Sequence, residues 1–267
     1  MWRGMITSQL VRRAAIGDTV TPPTPIAPTE ETLPEAPLTD AELDALRAFD
    51  TPTICNALEL VSPERRARGF TTQHLICPFP DLPPMVGYAR TVLMRSNEPS
   101  GQSAAEQRQA RLEYYRYVAS GSGPKISIIQ DIDSRIGFGC FWGEVQSAIH
   151  KALGCLGVVT DGGVRDIGDL APGFQVLCGR IVPSHAWVHS VDYGVTVDVF
   201  GMLVRSDDLI HADRHGAVVI PHEVARELPK AAELCGRREA PILKVARSAD
   251  FSLEALERAM GEAADIH

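Results

Sequence analysis

Near the middle of the chain, Cys155-Leu156-Gly157-Val158-Val159-Thr160 leads directly into Asp161-Gly162-Gly163-Val164-Arg165-Asp166. The first six residues form a short apolar run that is typical of a buried strand. The next six place two glycines, a guanidinium and a carboxylate in the turn that follows. Such an arginine can hold a small carboxylate through two parallel hydrogen bonds, and the adjacent aspartate can bind a hard divalent cation. The stretch predicts a strand ending in a metal-assisted site for a small oxo acid; the alternative is a solvated or internally paired Arg-Asp turn.

A helix is predicted just before this strand. Its apolar residues recur at helical spacing and Gly154 follows them as a stop: Val145, Ala148, Ile149, Ala152 and Leu153. The helix begins near Gly143, where its first backbone N–H groups lack helical partners and can bind an anion. A carboxylate held between these amides and Arg165, with a cation at Asp166 polarising the neighbouring keto oxygen, is an arrangement that stabilises an enolate.

Glu144 lies in the first turn of this helix. One interpretation makes it a second acid near the metal, in direct contact or through water. The other makes it an ordinary N-terminal acid that complements the helix dipole. The sequence leaves both open.

Working outward, helices alternate with strands and are followed by a cluster of strands. Helices are predicted at residues 39–48, 51–60, 102–118, 221–238 and 252–260, and strands at 86–94, 126–129, 175–178, 195–199, 202–205, 208–211 and 217–220. This order predicts an α/β layered domain with a β-rich central segment, flanked by N- and C-terminal helices. We assign residues 1–38 to a flexible tail, 39–247 to the catalytic domain and 248–267 to a C-terminal helical extension.

Composition narrows the class of protein. The chain has 267 residues and a net charge of −8, which argues against nucleic acid or an anionic membrane as partners. No apolar run is long enough to span a bilayer. The six cysteines are scattered without a CxxC pair, which favours reduced thiols in a cytoplasmic protein. Residues 1–16 carry three arginines and no acid, which weakly resembles a mitochondrial presequence, although an unstructured tail is the preferred interpretation.

Two histidines, His185 and His189, are spaced four apart. Pro183 and the surrounding Val/Trp pattern make a metal-binding helix a poor interpretation. Either histidine could instead line the substrate pocket or act as a proton donor.

The spacing of the site residues resembles that of the RraA-like superfamily. Glu144 is followed after twenty residues by Arg165-Asp166 and then by Asp169. That superfamily comprises regulators of ribonuclease E activity and divalent-metal aldolases acting on 4-hydroxy-4-methyl-2-oxoglutarate and 4-carboxy-4-hydroxy-2-oxoadipate. Residues 51–58, 85–92 and 208–221 look like its opening helix, its Gly-x-Ala-x-Thr strand and its terminal hairpin, so the resemblance covers about residues 38–247.

The resemblance implies a swivelling α-β-β core, assembly into homotrimers or hexamers, and Mg²⁺ or Mn²⁺ as cofactor. It assigns Arg165 to the substrate carboxylate and keto oxygen, and Asp166 to the metal. The amide cradle would be formed by Gly143, Glu144, Val145 and Gln146. Glu239 loosely matches a late glutamate that reaches a neighbouring subunit's site. The best-understood aldolases carry aspartate where this chain has Glu144, which leaves the substrate's identity more open than metal binding.

The function expected from this resemblance is a metal-dependent lyase. It would cleave a 4-hydroxy-2-oxo acid to release pyruvate through a stabilised enolate, with oxaloacetate decarboxylation as a side activity. The alternatives are a non-catalytic regulator that binds a ribonuclease or related machine, and another enolate-forming lyase acting on a sugar-acid-derived substrate.

Overall fold

The computed structural model describes residues 37–267, so all but the last two residues of the expected N-terminal tail lie outside it. Its α-helices are α1 (Asp40–Arg47), α2 (Thr51–Val61), α3 (Ala104–Ala119), α4 (Glu144–Ala152), α5 (Leu228–Ala246) and α6 (Leu253–Ala264). Its strands are β1 (Met85–Arg95), β2 (Lys125–Asp131), β3 (Cys140–Trp142), β4 (Cys155–Thr160), β5 (Gly163–Val164), β6 (Gln175–Leu177), β7 (Arg180–Ile181), β8 (His189–Tyr193), β9 (Val197–Val199), β10 (Met202–Val204), β11 (Leu209–Asp213) and β12 (Gly216–Ile220). The predicted α/β class, with helices toward both ends, is confirmed.

The core of the fold is a seven-stranded mixed sheet, in which six strands follow the order β12-β11-β1-β2-β4-β6 and β8 adds to β1. The steps from β1 to β2, β4 and β6 are parallel, whereas β11 and β12 form an antiparallel hairpin beside the first half of β1. β8 pairs antiparallel with the second half of β1. Strands β2 and β4 are buried along almost their whole length, which explains their continuous apolar sequences.

A smaller parallel sheet, β3-β5-β7, positions the stretch quoted above. Trp142 at the end of β3 lies opposite Val164 at the end of β5, and the backbone N–H of Arg165 donates to the carbonyl of Trp142 at 3.0 Å. Because the two strands are parallel, their carboxyl ends emerge side by side. The start of α4 and the Arg165-Asp166 pair are therefore neighbours in space, although some twenty residues separate them in sequence.

The terminal helices show where local signals were sufficient and where they were not. Thr39 and Glu42 have the spacing of a capping box in the sequence, and this capping box is present at the start of α1. The prediction that Pro221 begins a helix ending near residue 238 is wrong: a short 3-10 turn comes first, and α5 runs from Leu228 to Ala246 through Pro241. A proline can start either kind of turn, since it fixes only φ and removes one donor. α6 packs against α5, and the Nε–H of Arg238 donates to the carbonyl of Ile266 at 2.9 Å.

All six cysteines are free thiols. Within residues 37–267, no helix combines the length and the apolar character that a membrane span requires.

Candidate functional site

A cleft of about 710 Å³ opens where β3 and β5 end. Its walls come from residues 99–102 after β1, one face of α3, residues 140–141, the start of α4, the turn after β5, and residues 185–190. Every residue predicted for the site lines this one cleft: Gly143, Glu144, Val145, Gln146, Arg165 and Asp166. Such a concave space, with a few convergent polar groups, is the usual form of a small-molecule site.

Asp166 presents its carboxylate into the cleft from a left-handed backbone conformation, with φ 52° and ψ 43°. Aspartate tolerates this conformation better than most residues. Its Oδ2 lies 3.4 Å from the backbone N–H of Glu144 and 3.4 Å from Nε of Arg165. Its Oδ1 has no hydrogen-bond partner among residues 37–267, and the side chain is 39% exposed. One carboxylate oxygen is therefore available to a ligand.

Within residues 37–267, Arg165 is held at one edge of its guanidinium only. Its Nε faces Asp166, while its two terminal nitrogens have no hydrogen bond within the described part of the chain. Those nitrogens can form the paired hydrogen bonds with a carboxylate or keto oxygen that the sequence predicts.

The close approach of α4 to this pair depends on Gly143. A Cβ at that position would lie 2.6 Å from Oδ2 of Asp166 and 3.3 Å from Cγ of Arg165, so only glycine fits without a shift. Gly143 begins α4 with no side-chain cap. The backbone N–H groups of Val145 and Gln146 find no partner in residues 37–267, which leaves two amides free to bind an anion.

The carboxylates in the cleft fit a hard cation that is held by few protein ligands. Among residues 37–267, no group of three or more His, Cys, Asp or Glu side chains comes together as a metal site. The cleft offers two carboxylates, Asp166 and the exposed Glu144. Mg²⁺ commonly binds through one or two carboxylates and completes its shell with water and substrate oxygens, so this pair fits Mg²⁺ or Mn²⁺ better than a closed structural site.

Two further groups in the cleft carry chemistry. Arg111 reaches it from α3, on the same helix face as Gln107 and Tyr114, and has no ion pair among residues 37–267. Sequence reasoning missed Arg111, although the spacing of these residues was a usable signal. The loop before β8 adds His185, and the first residue of β8 adds His189.

Tyr114, which lines the cleft, is paired with the fully buried His150. Nδ1 of His150 lies 2.8 Å from the carbonyl of Gln146, so it must carry the hydrogen, and Nε2 accepts from the Tyr114 hydroxyl at 2.9 Å. Burial lowers the pKa of His150 to about 4 and raises that of Tyr114 well above its ordinary value. The pair is therefore neutral, and it ties α3 to α4 rather than exchanging protons with the cleft.

Three linked carboxylates brace the loops around the site. Oδ1 of Asp161 accepts the backbone N–H of Asp131 at 2.7 Å, and Asp131 in turn accepts the backbone N–H groups of Gly137 and Asp133. Asp133 then accepts from the backbone of Asn97 at 2.9 Å. The chain of contacts connects the turn after β4 to the segment after β1 that lines the cleft. Burial, reinforced by the nearby Asp131 carboxylate, raises the pKa of Asp161 from 3.8 to about 7.

This raised pKa predicts a pH-dependent stability. Because folded Asp161 holds its proton up to a higher pH than the unfolded chain does, its contribution to the free energy of unfolding falls as pH rises from about 4 to about 7. The loss is on the order of 4 kcal/mol. In Asp161→Asn, whose amide oxygen can still accept from Asp131, denaturant unfolding should show a flatter pH profile over that window. Parallel pH profiles of unfolding for wild type and Asp161→Asn would contradict the raised pKa of Asp161.

Comparison with known proteins gives a family and one curated relative. The family described as RraA-like, Aldolase/RraA, matches residues 51–219. An uncharacterized protein of Methanocaldococcus jannaschii is 33% identical over 103 residues, which cover 38% of this chain and 50% of that protein. The chain thus spans about half the length of the curated relative it matches.

Several solved structures share the fold, among them the following two. An uncharacterized protein from Pseudomonas syringae pv. tomato str. DC3000 matches with a TM-score of 0.65 at 21% identity, over 88% of this chain and 99% of that one. Streptomyces coelicolor RraAS2, described as an unusual member of the RNase ES inhibitor RraA protein family, matches with a TM-score of 0.60 at 22% identity, over 78% and 98% of the two chains. At such identities the likeness concerns the fold alone.

Proposed function

The chain belongs to the RraA-like family, and on that premise we propose that it is a divalent-metal-dependent lyase that releases pyruvate from a 4-hydroxy-2-oxo acid. The family includes both aldolases and non-catalytic ribonuclease inhibitors, so membership by itself does not choose between them. One observation carries the choice of an enzyme. Arg165, Asp166 and the free amides of Val145 and Gln146 converge in a single cleft, each with unused hydrogen-bonding or ligand capacity.

These groups match the charge changes of an aldol cleavage. The free amides and Arg165 would hold the substrate's C1 carboxylate, leaving the C2 keto oxygen beside the guanidinium. When the bond between C3 and C4 breaks, negative charge moves to that oxygen as an enolate, and a positioned guanidinium stabilises it. A Mg²⁺ or Mn²⁺ ion, held by Asp166 with Glu144 directly or through water, would supply further Lewis-acid stabilisation when bound. Decarboxylation of oxaloacetate forms the same enolate, which accounts for the expected side activity.

Arg111 supplies a second guanidinium in the cleft, which favours a substrate with two carboxylates. Arg111 faces the cleft from α3 without an ion pair in the described chain, so it is free to bind a distal anionic group. A substrate of the 4-hydroxy-4-methyl-2-oxoglutarate type carries carboxylates at both ends. The proposed cleavage therefore uses Arg165 at the reacting end and Arg111 at the far end.

We extend the proposal to a cytoplasmic homotrimer or hexamer, without nucleic acid or membrane as a partner. Val145 and Trp187 at the cleft are 66% and 61% exposed, and apolar surface of this kind often marks a contact with another subunit. Glu239 is exposed on α5 and does not line the cleft of its own chain. This placement is compatible with its predicted reach into a neighbouring subunit's site.

The direct test is pyruvate release, followed with a lactate dehydrogenase couple. Oxaloacetate and 4-hydroxy-4-methyl-2-oxoglutarate should both be turned over with Mg²⁺ or Mn²⁺. EDTA should remove about 90% of the rate or more, because the enolate loses its cation. Restoring the ion should restore the rate, which serves as the control. No turnover, together with no binding of Mn²⁺ by the folded oligomer, would favour the regulator instead.

A further inference from the structure

Two imidazoles reach the cleft with the same arrangement of hydrogen bonds. Nδ1 of His185 lies 2.7 Å from the carbonyl of Ala186, and Nδ1 of His189 lies 2.8 Å from the carbonyl of Trp187. A carbonyl can only accept, so each Nδ1 carries a hydrogen and each Nε2 of the neutral ring keeps a lone pair. Neither Nε2 has a partner among residues 37–267. The cleft therefore contains two free nitrogen bases.

The loop that carries His185 and leads into β8 at His189 is docked beside β3. The backbone N–H of Cys140 donates to the carbonyl of Ser184 at 3.1 Å. A Cβ at Gly139 would lie 2.6 Å from the carbonyl oxygen of His185 and 2.9 Å from Cβ of Ala186, so the contact needs glycine. Ala186 itself has a left-handed φ of 47°, which is unfavourable for alanine. Strain of this kind persists where the surrounding structure imposes it, and it clusters at functional sites.

The two histidines differ in how rigidly they are held. His189 begins β8, lies opposite Arg95 of β1, and is partly buried. His185 is exposed on the loop. A base on a paired strand keeps its position better than one on an exposed loop, and partial burial limits competition from water.

We propose that His189 is the general base of the aldol cleavage. Nε2 takes the proton of the substrate's C4 hydroxyl. The C4–O bond becomes a carbonyl, the C3–C4 bond breaks, and its electron pair passes to the C2 oxygen as the enolate held by Arg165. The imidazolium then returns the same proton to C3, which completes the methyl group of pyruvate, so no other proton donor or acceptor is consumed. The assignment rests on the proposed function, to which it adds the missing proton carrier.

Other charged and titratable groups share the cleft or the paired strand with His189 and contribute to any pH profile. Those in the cleft are Arg111, Tyr114, Cys140, Glu144, Arg165, Asp166 and His185, and Arg95 lies opposite His189 on β1. The decisive readout is therefore a comparison of two reactions at one pH rather than a profile alone. Aldol cleavage must remove a hydroxyl proton, whereas decarboxylation of oxaloacetate has no such proton to remove.

His189→Asn is the informative variant, because the asparagine amide can still donate to the carbonyl of Trp187 while the basic nitrogen is lost. The aldolase kcat should fall about 100-fold or more, and oxaloacetate decarboxylation should stay within about threefold of wild type. Added imidazole should restore part of the aldolase rate. His74→Asn, the same exchange at an exposed position outside the cleft, should match wild type in both assays.

Three results would overturn the assignment. They are an unimpaired aldolase rate in His189→Asn, an equal loss of both activities without imidazole rescue, and a selective aldolase loss in His185→Asn instead. A wild-type protein without either activity would remove the proposed function and this assignment together. An active wild type with an unimpaired His189→Asn variant would remove only the assignment.

Discussion

Replacing Arg165 with alanine is expected to lower kcat/KM for pyruvate release by about 10³-fold, on oxaloacetate and on the hydroxy-oxo acid alike. The change removes the guanidinium that is proposed to hold the C1 carboxylate and the enolate oxygen. Arg165 is 37% exposed and, within residues 37–267, it pairs with no acid other than the adjacent Asp166, so the fold should survive. Coupled pyruvate assays and thermal unfolding of the purified variant measure the two effects separately.

Arg165→Lys is the matched variant for this experiment. Lysine keeps the positive charge but cannot form two parallel hydrogen bonds in one plane. Its activity should fall between that of wild type and that of the alanine variant, with a raised KM. An alanine variant that kept the full rate would show that the oxo-acid clamp is wrongly assigned.

Replacing Asp166 with asparagine is expected to abolish the dependence on divalent metal and to reduce pyruvate release by a similar factor, about 10³. Asparagine has the same shape and also tolerates the left-handed backbone found at this position, so the exchange removes little besides the charge. The affinity for Mn²⁺, measured by electron paramagnetic resonance, should fall by about tenfold or more, because a neutral amide is a poorer ligand for a hard cation.

Asp250→Asn provides the control for charge alone, since Asp250 is exposed and does not line the cleft. It should bind Mn²⁺ and release pyruvate as wild type does. Unchanged Mn²⁺ affinity in Asp166→Asn would place the cation elsewhere, with Glu144 as the next residue to replace.

Some elements were predictable because their signals are local. The capping box at Thr39 and Glu42 begins α1 where the sequence predicts it. Gly154 adopts φ 88° directly after α4, as expected of a helix stop. A cap or a left-handed glycine needs only its own neighbours in sequence, so the pattern suffices.

Other elements exist only because of pairing. Strands β3, β5 and β7 have three, two and two residues, too few for any periodicity. Each forms by hydrogen bonds to a strand distant in sequence, and no local pattern reports such a partner. The length of α5 escaped prediction for the same reason, since its continuation past Pro241 accompanies packing against α6.

The family could be predicted from the sequence because it resides in the kind and spacing of a few side chains, and the same residues located the candidate site: Glu144, Arg165 and Asp166. Which other groups share the cleft follows from tertiary packing. Arg111 and His189 come from elements on opposite sides of the motif, and only packing of α3 and pairing of β8 with β1 brings them to the same space. Those contacts depend on the free energy of the whole fold, which no short stretch of residues encodes.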